Sequence, residues 1–252
     1  MTYCVAISLD EGMIFASDSR TNAGIDLVST YSKLYTFGID GNRQFALLSA
    51  GNLGTTQAVV TQIKRDIKSN AEKNLYNMHH LSDAAEYLGI VSRQQQEKYS
   101  LPADSNNSFN PESTFILGGQ IGTEPHGVFM IYPQGNFITV SMQTRYLQIG
   151  ESKYGKPILD RIIKSTVSLE DAARCALVSM DSTMHSNVSV GPPVEILAYR
   201  KDALKFENYL YFDADDAYLL GLRRAWDDNI KQAFSKLPDL QWGSFDKKLY
   251  GG

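Results

Sequence analysis

The chain opens on two runs of strand-forming residues, 3–9 (YCVAISL) and 13–19 (MIFASDS), separated by Asp10-Glu11-Gly12. This pattern predicts a β-hairpin that starts almost at the first residue. Neither face of that hairpin is polar. Tyr3, Val5, Ile7 and Leu9 lie on one side, and the small residues Cys4, Ala6 and Ser8 on the other. Strands without a polar face are covered on both sides. Residues 33–39 and 43–49 predict a second strand pair, joined around Asp40-Gly41-Asn42. The period then changes. Val59, Val60, Ile63 and Ile67 are spaced for a helix over about 55–73. A second helix is predicted over 81–99, with Leu81, Ala84, Ala85, Leu88, Ile90 and Val91 on its buried side.

The segment 100–112 is polar, contains Pro102 and Pro111, and reads as a loop. Strands return at 113–119, 127–132 and 136–141, with Pro133-Gln134-Gly135 as a turn. Residues 153–164 have a helical pattern. A longer helix starts at Ser168, where Ser168 and Asp171 have the spacing of a capping box. Strands follow at 193–199 and about 204–211, then a last helix over about 215–234 and an irregular tail over 235–252. The order is strands, two helices, strands, two helices, strands. Two stacked sheets with helices outside would cover both faces of the opening hairpin. The expected fold class is therefore α+β, a four-layer α-β-β-α sandwich of two antiparallel sheets. No linker divides the chain, so 1–252 is expected to form a single domain.

Composition narrows the function without naming it. The net charge of −4 is mild, and the Lys and Arg residues are scattered, which argues against nucleic-acid binding. No run approaches the roughly 18 apolar residues of a membrane helix. The N-terminus carries neither a basic segment nor a long apolar one, so a cytoplasmic protein is expected. Cys4 and Cys175 are far apart and read as reduced thiols. The four histidines, His79, His80, His126 and His185, have no chelating spacing, so no metal and no cofactor is expected. Gly118-Gly119 lacks the context of a phosphate loop and reads as a strand end needing close backbone approach.

Candidate chemistry lies at the start of the chain. With Asp10-Glu11-Gly12 as a three-residue loop, Thr2 faces Arg20, and Asp18 shares a face with Thr2 as its diagonal neighbour. A loop of even length would put the two on opposite faces. Lys33 opens the third strand. An N-terminal threonine, freed once Met1 is removed, combines a hydroxyl with an α-amine of pKa roughly 7.7–8.0 that can take its proton. A nearby lysine ammonium favours the neutral amine and the deprotonated oxygen, and an aspartate fixes that lysine. A backbone N–H must face the developing oxyanion, and the Ser49-Ala50-Gly51 strand end offers one.

The runs T-Y-C-V-A-I, G-M-I-F-A-S-D-S-R-T, S-K-L-Y and L-L-S-A-G-N-L-G follow, in order, the pattern of proteasome β-subunits. F-I-L-G-G-Q, Y-P-Q-G and I-G-E-S-K-Y-G-K-P-I-L continue it. Together with M-D-S-T-M-H-S-N-V-S-V-G-P-P, the chain resembles Anbu, the bacterial proteasome-related family, over about residues 2–212. The resemblance implies the N-terminal-nucleophile hydrolase fold and a threonine peptidase that acts on peptides or unfolded protein through an acyl-enzyme. It also implies a homo-oligomer, as a ring or an open spiral. By position it implies Thr2 as nucleophile, Asp18 and Lys33 as partners and Gly51 as oxyanion donor. Thr21 and residues 51–53 would pair with substrate backbone, and Ser49 and Leu53 would shape the pocket. Three departures stand out. Lys33 lies one residue closer to the threonine than in typical subunits. Gly150-Glu151-Ser152 replaces Gly-Ser-Gly. Asp181 is followed three positions later by Met184, leaving Ser186 and Ser189 as alternatives for the downstream serine. The residues specify no ATPase partner. The rival readings are an N-terminal-nucleophile amidase acting on a small amide, and a ring-forming scaffold with a vestigial site.

Overall fold

The computed structural model describes residues 2–22, 28–99 and 109–242. Two compact units are distinguished, Met1–Asp216 and Ala217–Gly252. The first contains β1 (Tyr3–Leu9), β2 (Gly12–Asp18), β3 (Arg20–Asn22), β4 (Val28–Thr30), β5 (Leu34–Ile39) and β6 (Arg43–Gly51). Helices α1 (Leu53–Lys68) and α2 (Leu81–Tyr99) follow, then β7 (Ser113–Ile121), β8 (Gly127–Ile131), β9 (Phe137–Thr139) and β10 (Tyr146–Gly150). Helices α3 (Lys156–Ile162) and α4 (Leu169–Ser186) lead to β11 (Val194–Arg200) and β12 (Asn208–Phe212). The second unit holds α5 (Ala217–Phe234). No described helix is long and apolar enough to cross a membrane.

One five-stranded antiparallel sheet has the order β10-β1-β2-β11-β12, and the other β5-β6-β7-β8-β9. The small pair β3-β4 stands apart from both. Every residue of β1 and β2 is buried, as two apolar faces require. Cys4, Ala6, Met13 and Phe15 meet Leu34, Ala46, Leu48 and Ile116 in a core between the sheets. A second core lies between β6, β7 and helices α1 and α2, built on Phe45, Val59, Ile63, Leu88 and Phe115. Helix α4 packs on the other side, against β1, β2 and β11. The four-layer order α-β-β-α is complete within this unit.

Local signals set most boundaries. Ser168 accepts a hydrogen bond from the Asp171 N–H (3.1 Å) and caps α4, as the capping-box spacing predicts. Asn52 caps α1 in the same way, through the Thr55 N–H. Helix α1 ends at Lys68, earlier than the pattern predicts, because Ser69 caps it and Asn70 turns to positive φ. Gly118 and Gly119 lie inside β7 rather than at a strand end. The close approach is real. A Cβ on Gly118 would sit 2.5 Å from the Phe15 ring, and one on Gly119 would run into the Gln44 carbonyl. Of the 100–112 loop, 109–112 are irregular and 100–108 lie outside the described residues, as do 243–252 of the tail.

Candidate active site

The opening hairpin has a different turn from the expected one. Leu9 pairs with Gly12, so only Asp10 and Glu11 form the loop. Gly12 makes this tight return possible. Its φ is +148°, and a Cβ there would strike the Tyr199 carbonyl of β11. Cys4 therefore pairs with Ser17, and the even-length loop puts Asp18 and Thr2 on opposite faces by strand alternation. The expectation of a shared face is corrected.

The two residues are nevertheless joined, because both lie at strand ends where alternation stops governing reach. Asp18 Oδ1 accepts a hydrogen bond from the Tyr3 N–H (3.0 Å), on the peptide that follows Thr2. The same oxygen takes the Lys33 ammonium at 2.7 Å. Asp18 Oδ2 accepts from the Gly191 N–H (3.2 Å). Lys33 Nζ also donates to the Arg20 carbonyl (2.6 Å). Asp18 is fully buried and Lys33 is 5% exposed. Burial pushes the Asp18 carboxyl above its ordinary range, while the Lys33 ammonium and the two N–H donors pull against that rise. An ammonium has three donors. Two are engaged among the described residues, and Lys33 also lines an open cleft.

That cleft, of about 510 Å³, collects the sequence-derived residues. Thr2, Thr21, Lys33, Ser49, Gly51 and Leu53 all line it. Gly51 ends β6 at φ +110°, and a Cβ there would run into the Glu112 carbonyl, so only glycine fits without strain. Ser49 is buried and its N–H donates to the Lys33 carbonyl (3.0 Å), which joins β6 to the start of β5. Thr21 Oγ1 is buried and has no protein partner among the described residues. Tyr35 and Thr56, which sequence reasoning did not single out, complete part of the wall.

A second missed feature anchors Thr2 itself. Gly150 has φ +80°, and a Cβ there would overlap the Thr2 carbonyl. The Glu151 N–H donates to that carbonyl (2.7 Å). Glu151 in turn accepts from the Asn187 side chain (3.0 Å), tying the end of α4 to Thr2. The downstream serines lie elsewhere. Ser186 is the exposed last residue of α4, and Ser189 is half-buried with its N–H on Asn187 Oδ1 (3.0 Å). Neither is among the residues lining the cleft. Asp181 is buried within α4.

Cys4 is fully buried, and burial pushes its thiol well above the ordinary range. It therefore has little thiolate character and does not compete as a nucleophile. Burial likewise raises Cys175, to about 12.

The sequence profile described as "Proteasome subunit" matches residues 2–198. The chain is 22% identical over 204 residues to proteasome subunit beta 2 of Pyrobaculum calidifontis, covering 81% of this chain and 91% of that one. It is similar to the structure of Anbu (ancestral beta-subunit) from Yersinia bercovieri, with a TM-score of 0.89 and 42% identity. That match covers 96% of this chain and 100% of that one. The structure of the helical assembly of the Anbu complex from Pseudomonas aeruginosa matches with a TM-score of 0.90 and 42% identity. It covers 95% of this chain and 98% of that one.

Proposed function

Since this chain belongs to the proteasome subunit family, and within it to Anbu, we propose that it is a threonine peptidase with Thr2 as nucleophile. The observation that carries the reading is the buried Asp18–Lys33 ion pair, hydrogen-bonded to the peptide of Thr2 and opening on the cleft that Thr2 and Gly51 line. Removal of Met1 frees the α-amine. That amine takes the hydroxyl proton as Thr2 Oγ1 attacks the scissile carbonyl carbon. The Lys33 ammonium favours the neutral amine and stabilises the forming alkoxide. The Gly51 N–H receives the oxyanion. The protonated amine then gives its proton to the leaving nitrogen as the C–N bond breaks. Water, deprotonated by the same amine, cleaves the resulting ester and regenerates Thr2.

The substrate backbone is expected along Thr21 and residues 51–53, by strand addition, and Ser49 and Leu53 shape the side-chain pocket. Glu151 and Asn187 hold Thr2 by its carbonyl, a backbone role distinct from that of a downstream serine. Ser186 and Ser189 stay as alternatives for that serine, although neither lines the cleft in this structure. The active form is a homo-oligomer, in keeping with the helical assembly of the relative from Pseudomonas aeruginosa.

The test is hydrolysis of an unfolded protein by protein whose N-terminus is Thr2, with products read by mass spectrometry. Peptide products from the wild type and none from Thr2→Ala are expected. Cleavage of small amides alone would favour the amidase reading. No hydrolysis of either kind, with Thr2 exposed as the first residue, would favour the vestigial scaffold.

A further inference from the structure

A second buried carboxylate lies close to the site and takes no part in the mechanism above. Glu195 is 4% exposed, on β11. Cys4, Ser17 and Glu195 pair in one row across β1, β2 and β11, with Leu197 and Tyr199 of the same strand facing the core between the sheets. Glu195 therefore points into the layer from which Thr2 emerges. Among the described residues no cation pairs with it. Its partners are two hydroxyls, Ser19 on Oε1 (2.9 Å) and Tyr209 on Oε2 (2.8 Å). The two hydroxyls fasten Glu195 to the end of β2 on one side and to β12 on the other.

Ser19 is the residue between Asp18 and Arg20, the two residues that hold the Lys33 ammonium. It is fastened at three points. Its N–H donates to the Pro193 carbonyl (2.8 Å), its carbonyl accepts from the Tyr31 N–H (2.9 Å), and its hydroxyl donates to Glu195. Lys33 Nζ reaches Asp18 Oδ1 at 2.7 Å on one side of Ser19 and the Arg20 carbonyl at 2.6 Å on the other. A small rotation of Ser19 displaces both acceptors together. We propose that Glu195 is a positioning residue, tethering the Asp18–Ser19–Arg20 turn through the Ser19 hydroxyl and so fixing where the Lys33 ammonium points. The inference rests on the threonine-nucleophile reading for its effect on reactivity, but the tether itself is a statement about geometry. Among the described residues no hydrogen bond or ion pair joins Glu195 to Thr2 or Lys33. Its influence passes through Ser19.

The experiment measures inactivation of the assembled protein by a peptide epoxyketone, separating the rate constant of reaction from the affinity of the encounter. Glu195→Ala and Ser19→Ala are each expected to slow the reaction step by about tenfold to a hundredfold, the scale of a small misplacement of a reacting group. Affinity should change much less than the reaction step, because neither substituted side chain lines the cleft. The double variant should be no slower than the worse single one, since both remove the same tether. Glu195→Gln keeps an oxygen for Ser19 and should react within about threefold of the wild type. A wild-type rate in Glu195→Ala would overturn the proposal. So would a Glu195→Gln as slow as the alanine variant, which would assign the effect to charge, and so would additive losses. A crystal structure of Glu195→Ala, or of Ser19→Ala if the former does not fold, tests the geometry independently of reaction. The turn should be displaced, with Lys33 Nζ moved out of hydrogen-bond range of the Arg20 carbonyl. An undisplaced turn overturns the tether. A displaced turn in a protein whose wild type never reacts upholds it and refutes the threonine reading instead.

Discussion

At the scale of single residues, Lys33 has two roles that substitution can separate. It lines the cleft with Thr2, where the proposed mechanism uses its charge, and it is the counter-ion of a fully buried Asp18. Lys33→Ala should reduce hydrolysis by at least about a hundredfold, the size of a lost catalytic electrostatic contribution. It also strands the carboxylate, which costs about 3–5 kcal/mol in a buried pair. The melting temperature should therefore fall, and Lys33→Ala/Asp18→Asn should recover it without recovering activity. The pH dependence follows from burial, which raises the Asp18 carboxyl. Without Lys33 that rise grows, and the stability deficit is present above the raised value and shrinks as pH falls through it and the carboxyl takes up a proton. Thermal melts across a pH series check this, and a deficit that grows on acidification would contradict it. Residue type and order were enough to nominate Thr2, Asp18, Lys33 and Gly51 as candidates. The route from Asp18 to Thr2 was not legible, because it runs through the Tyr3 N–H at strand ends rather than across a face. Gly150 and Glu151 were visible only as a departure from the family pattern, not as the backbone anchor of Thr2, and Glu195 gave no signal, since a buried glutamate looks like an ordinary strand residue until the register is known.

At the scale of elements, long periodic segments were the most legible. Helix α2 spans Leu81–Tyr99 as the pattern predicts, and the cap at Ser168 sets the start of α4. Ser168→Ala should cost about 1 kcal/mol, read as a melting temperature lower by about 2–4 °C for a chain of this size. The short strands were harder. β3 and β4 have three residues each and β10 has five, too few to establish a period of two. The hairpin loop was misjudged by one residue because Gly12 belongs to β2, where its positive φ is needed against β11. A one-residue change of register reverses every facing relation, which is why the expected shared face of Thr2 and Asp18 failed, although the Asp18 carboxylate still reaches the peptide that follows Thr2. Gly118→Ala should be destabilising by about 1–3 kcal/mol through overpacking, because its methyl would meet the Phe15 ring between the sheets. A chemical-denaturation midpoint equal to that of the wild type would show that Phe15 moves aside at no cost.

For the whole molecule, the two apolar faces of the opening hairpin called for a cover on each side, and the second sheet covers one while helix α4 covers the other. Assembly is not written in the fold of one chain. A large homo-oligomer is expected at micromolar concentration, and analytical ultracentrifugation showing monomer alone would count against it. In the proposed mechanism one residue carries both the nucleophile and its base, and the reaction of the N-terminus reports on both groups at once. A peptide epoxyketone can close a ring on the hydroxyl and amine of a single N-terminal threonine, which an internal serine or cysteine cannot do. Peptide mapping after labelling should find the N-terminal peptide beginning at Thr2 and carrying the ring adduct. Labelling should speed up as pH rises through roughly 7–8, where the α-amine becomes neutral. Thr2→Ser should keep part of the labelling, and Thr2→Ala should lose it. An N-terminal peptide that retains Met1 and no adduct, or an adduct found on Cys4 or Cys175 with Thr2 unmodified, would contradict the account.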